Sequence, residues 1–92
     1  MNSKKNPFDP DRCRRLRVSL RAAAEKALSQ YDPRLAARFD PSDLVQDALL
    51  RAYLSIHTWR GSSEKDLFAW ARRILDNVLA NEIRAAMAGR RD

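Results

Sequence analysis

The chain has 92 residues, 45% hydrophobic and 33% charged, with a net charge of +6. That suits one small globular domain and is too apolar for wholesale disorder. A lone cysteine, Cys13, excludes an intrachain disulfide or a cysteine-built zinc cluster, and the lone histidine, His57, has no partner at ligand spacing.

Four prolines stand at Pro7, Pro10, Pro33 and Pro41, and none follows. The chain therefore reads as all-α, after a polar leader over residues 1–8. A first helix starts at Asp9-Pro10, a capping side chain followed by proline at the first helical position. It is predicted to run to about Gln30, before Tyr31-Asp32-Pro33 stops it. Cys13, Leu16, Leu20, Ala23, Ala24, Ala27 and Tyr31 form its apolar stripe, with Arg14, Arg15, Arg17, Arg21 and Lys26 off it. Most of the basic excess lies here: residues 1–31 hold eight Lys/Arg against three acids. Such a balance suits a polyanion, and it suits a solvated basic surface equally well.

A short helical turn over 33–39 brings Leu35 and Phe39 inward. The second main helix starts at Asp40-Pro41 and runs to about Ile56, with Val45, Ala48, Leu49, Ala52 and Ile56 as its core side. Asp43, Gln46, Asp47, Leu50 and Leu54 converge on the opposite side. Two leucines inside a polar face call for a cover, and apolar anchors with a polar rim suit a protein contact. A fourth wall of the core or a homodimer would cover them equally well. Residues 57–63 form a loop, with Gly61 supplying the turn and Ser62 or Ser63 the next cap.

The third main helix runs from about Glu64 to Ala88, burying Leu67, Trp70, Ala71, Ile74, Leu75 and Val78. Its outward face carries Arg73, Asn77 and Arg84, separated by the small Ala69 and Ala80, and the basic pair Arg90-Arg91 follows in the tail. Small residues let a helix backbone approach nucleic acid while arginine and asparagine reach phosphates or base edges. Trp59 beside Arg60 suits stacking on exposed bases. Plain solvation of the arginine face, and a core-capping role for Trp59, account for the same residues.

Catalysis finds little support. Asp43 and Asp47 sit in the first turns of a helix, where acids suit the dipole, and His57 has no nucleophile beside it. No glycine-rich phosphate loop is present, and Ser62 and Ser63 read as caps. No metal or cofactor is expected.

From Asp43-Leu44-Val45-Gln46-Asp47 onward the chain resembles region 2 of the bacterial sigma-70 family, in its extracytoplasmic-function type. An aromatic-Arg-Gly turn follows as Trp59-Arg60-Gly61, then Phe68-Ala69-Trp70, with Arg73-Ile74 and Asn77 spaced after it. Order and spacing over 43–84 carry the resemblance, and the upstream helix fits the family's first segment. The resemblance implies a three-helix region 2 bundle over 9–92. It also implies docking on the coiled-coil clamp of the polymerase β′ subunit through Asp43, Gln46, Asp47, Leu50 and Arg51, a side that also carries Leu54. Trp59, Arg60, Gly61, Ser62 and Ser63 match the loop that helps melt the promoter and holds an unstacked −10 base. Arg73, Asn77 and Arg84, with Asn81 on the border, match the helix that reads −10 DNA. Family members often carry phenylalanine where Leu50 and Trp59 stand, and an acid where Asn81 stands.

Partners implied are core RNA polymerase, single-stranded −10 non-template DNA and an anti-sigma factor, in the cytoplasm and away from membranes. The family's second domain, a helix-turn-helix that reads the −35 element, is missing up to Asp92, so the chain is expected to be a fragment of a longer factor. Two other readings remain: a helical adaptor module, and a duplex-reading helix-turn-helix regulator. The second is harder to fit, because its motif uses a tighter turn than this long aromatic loop.

Overall fold

The computed structural model describes residues 8–89. Apart from Phe8, the leader expected over 1–8 lies outside the described residues, and so do Arg90 and Arg91. Four α-helices follow in order: α1 (Pro10–Leu28), α2 (Pro33–Ala36), α3 (Pro41–Ser55) and α4 (Glu64–Ala88). A single 3-10 turn, Ile56–Thr58, closes α3, and no strand occurs among the described residues.

The helix starts share one device. Asp9, Asp32 and Asp40 each accept a backbone N–H of the first turn through the side chain, and each is followed by proline. The aspartate satisfies an orphan donor while proline removes another and presets φ. Asp32-Pro33 therefore does more than stop α1; it also opens α2. Ser63 caps α4 by accepting the N–H of Asp66.

The three long helices pack against one another in every pairing. Leu16, Leu20, Ala24 and Leu28 of α1 meet Leu44, Val45 and Ala48 of α3, and Ala71, Leu75, Val78, Leu79 and Ile83 of α4. Each fully buried leucine contributes about 1.5–3 kcal/mol of transfer free energy. Leu35 and Phe39, around α2, lie half-buried against this core. The fold is the all-α, three-helix bundle with a short extra turn that the sequence predicts.

Some details differ. The α1 helix ends at Leu28, two residues early, because the N–H groups of Gln30 and Tyr31 turn back to Ala27 and Leu28 in tight i→i−3 bonds. Leu28 fills the end of the stripe, and Tyr31 is 38% exposed. Ile56 falls in the 3-10 turn and is half-buried, whereas Leu44, omitted from the predicted core, is buried at the start of α3. On α4 the stripe continues at the same spacing to Leu79 and Ile83, while Trp70 and Ile74 are only half-buried.

Candidate functional site

Two surfaces carry the residues singled out from the sequence. On α3, Asp43, Gln46, Leu50, Arg51 and Leu54 are exposed and Asp47 is half-buried. Leu50 and Leu54 are 56% and 64% exposed, so neither serves the core of the monomer. Arg51 Nε lies 3.1 Å from Asp47 Oδ1, an (i, i+4) pair along the same face. One further residue belongs here: Tyr53 is 60% exposed, with the Phe8 ring 5.8 Å away, centroid to centroid. Helical spacing sets Tyr53 about 20° from Gln46, on the side away from Leu50, so it borders the same face.

The second surface comprises the loop and the outward side of α4. Arg60, Gly61, Ser62 and Ser63 are exposed, and Trp59 is half-buried with its ring 6.5 Å from that of Trp70. Gly61, expected to supply the turn, does not adopt a positive φ. Its role is space. A Cβ at Gly61 would come within 2.7 Å of both Trp59 Nε1 and Asp66 Cβ, closer than any side chain tolerates.

The loop is anchored where it enters α4. Asp66 accepts the N–H of Ser62 at 3.3 Å while its own N–H donates to Ser63 Oγ at 3.0 Å, a reciprocal cap. The Ser62 N–H, with donors from Ser63, holds the Asp66 carboxyl below its ordinary range. One residue away, Arg15 of α1 donates to Glu64 through Nε (2.9 Å) and Nη2 (2.7 Å), and Arg12 Nε adds a contact at 3.3 Å. The Arg15 hydrogen bonds lower the Glu64 pKa and raise that of Arg15.

Arg73, Asn77, Asn81 and Arg84 are all exposed on α4. Arg84 Nη1 donates to Asn81 Oδ1 at 3.0 Å, which orients the Asn81 amide. Arg72 is tied to Asp76 at 3.2 Å, but among the described residues Arg73 and Asn77 have no ion pair or side-chain hydrogen bond. The two surfaces also touch. Arg51, Leu54 and Ser55 of α3 line a groove of about 320 Å³ together with Ile74, Asn77, Val78 and Asn81 of α4. Among the described residues no group of three or more His, Cys, Asp or Glu could hold a metal ion. No described helix is long and apolar enough to cross a membrane.

The family model for sigma-70 region 2 matches residues 20–88, most of the chain and most of the bundle. The chain belongs to the sigma-70 family. Sigma-70 region 2 is a transcription-initiation domain that engages core RNA polymerase and the −10 promoter element. Of the three readings left open above, membership selects the initiation factor over the adaptor and the repressor. No curated protein and no solved structure matches the chain significantly. Within this region 2 domain the matched span includes all of α3, the loop and α4, hence both surfaces.

Proposed function

We propose that the chain is region 2 of an extracytoplasmic-function-type sigma factor that docks on the β′ clamp through α3. In this reading it captures the melted non-template strand with the loop and α4. The domain spans 9–92 and the leader 1–8. The observation that carries the docking half is the exposure of Leu50 and Leu54 within a polar helix face. With Asp43, Gln46, Asp47 and Arg51 as rim, they form an apolar anchor ready for desolvation by a partner. The same residues would be covered by an anti-sigma factor that competes with polymerase.

On the other surface, Trp59 and Arg60 stack on and hold an extruded base, with Gly61, Ser62 and Ser63 shaping the loop. Arg73 and Arg84 contact phosphates, and Asn77 and Asn81 contact base edges. The mechanism is thermodynamic: unstacking a base costs a few kcal/mol, and stacking plus hydrogen bonding in a protein pocket offsets it. The unpaired state of Arg73 and Asn77 supports their availability to DNA. Fluorescence binding of single-stranded −10 oligonucleotides by wild type and Asn77→Ala tests this assignment. The expected outcome is weaker binding by the variant; equal affinity removes α4 from the reading.

A further inference from the structure

Trp59 and Trp70 are the two tryptophans of the chain, and the fold brings them together across eleven positions of sequence. Their rings lie 6.5 Å apart at an interplanar angle of 38°. Both are half-buried, so neither is simply a core residue nor simply a surface one. Gly61 presses on the pyrrole end of the Trp59 indole: a Cβ there would meet Nε1 at 2.7 Å and Cε2 at 2.9 Å. The same atom would meet Asp66 Cβ at 2.7 Å, and Asp66 is itself fixed by its cap with Ser62 and Ser63. The indole is therefore held by a second aromatic ring from α4 and by a backbone segment anchored to the start of that helix.

We infer that Trp70 and Gly61 are positioning residues for DNA capture: they fix the Trp59 indole on the α4 surface before the strand arrives. The inference rests on the proposed role of the loop and adds the device that makes it work. A tryptophan on a free loop would lose its rotamer freedom on stacking with a base, and that loss opposes binding. Held by Trp70, the ring has already lost that freedom in the folded protein. Trp70 itself touches no DNA in this scheme and acts through Trp59.

The test uses the full chain, a degenerate pool of short fluorescein-labelled single-stranded oligonucleotides, and a β′ clamp-helix fragment as internal control. In Trp70→Phe, Trp59 is the remaining tryptophan, and its emission and acrylamide quenching report its environment. Trp70→Phe should keep an aromatic neighbour, a shielded Trp59 and an oligonucleotide affinity within about twofold of wild type. Trp70→Leu should expose Trp59 to quencher and weaken oligonucleotide binding about tenfold, within the range of one base–aromatic stack. Gly61→Ala, which displaces the indole without touching Trp70, should do the same. Both should leave clamp binding unchanged, and Gly61→Ala keeps the test open if Trp70→Leu does not fold. Unchanged oligonucleotide affinity in Trp70→Leu or Gly61→Ala, with Trp59→Ala weakened, overturns the inference alone. Unchanged affinity in Trp59→Ala itself overturns the loop's proposed role.

Discussion

The α3 face and the loop–α4 face treat their large apolar side chains in opposite ways. On α3, Leu50, Tyr53 and Leu54 are all more than half exposed, on a helix whose other side is fully engaged in the core. In the loop, Trp59 is folded back on Trp70 and wedged by Gly61, and the residues left in water there are mostly small or charged. Under the proposed function, the contrast separates two binding strategies. An exposed leucine pair on a rigid helix gains by losing water to a partner that brings its own apolar surface. A pre-seated aromatic gains by having its conformational entropy removed in advance.

Both strategies need the bundle, so the largest effect should come from its centre. Leu75→Ala should cost about 2–5 kcal/mol of stability and weaken polymerase and DNA binding together. Chemical denaturation checks the first and paired binding assays the second; loss of only one ligand would show that the two surfaces do not share this scaffold. Next in size, Asn77→Ala should cost about 1–3 kcal/mol in single-stranded −10 binding, with clamp binding intact. Arg73→Ala acts on phosphate rather than base. It should weaken all sequences alike and flatten the salt dependence of log K by about 0.7 per lost contact. A sequence-dependent loss would instead move Arg73 to a base edge.

The smallest effect concerns the anchor beneath the loop. Glu64 and Asp66 both have folded-state pKa values below their ordinary ones, through Arg15 and through the Ser62 N–H respectively. Depressed values mean a stabilisation that is intact at neutral pH and lost as pH falls below the carboxylate range. The ion pairs of Glu64 are only partly shielded from solvent, so the contribution is small. Glu64→Gln should reduce the acid-induced fall in melting temperature slightly and leave the neutral-pH fold unchanged; an unaltered pH profile would assign the effect elsewhere.

Local chemistry made most of the fold legible. Asp-Pro pairs fix helix starts through one cap and one missing donor, and helical spacing alone separates Leu16, Leu20 and Leu75 from the arginines around them. The exposure of Leu50 and Leu54 was legible for the same reason, since they break the polarity of a face whose angle is known. Where the reading failed, the cause was tertiary. The 3-10 tightening after Leu28 that moved Tyr31 outward depends on how the chain turns into α2. Nothing in Trp59-Arg60-Gly61 announces that the glycine is there for room rather than for φ, because the crowding comes from Asp66 and from the indole folded back onto it. The Arg15–Glu64 pair spans 49 positions, and its partners could not be matched by spacing. The groove shared by Arg51, Leu54, Asn77 and Asn81 likewise exists only once α3 lies against α4.

The division of roles between the two surfaces is tested most directly by titrating Leu50→Glu against both ligands, the β′ clamp-helix fragment and the single-stranded −10 oligonucleotide. A buried carboxylate in place of a central anchor should weaken clamp binding by about a hundredfold, roughly 2.8 kcal/mol, with melting temperature and oligonucleotide affinity unchanged. Undiminished clamp binding by Leu50→Glu would contradict the assignment of α3 to polymerase.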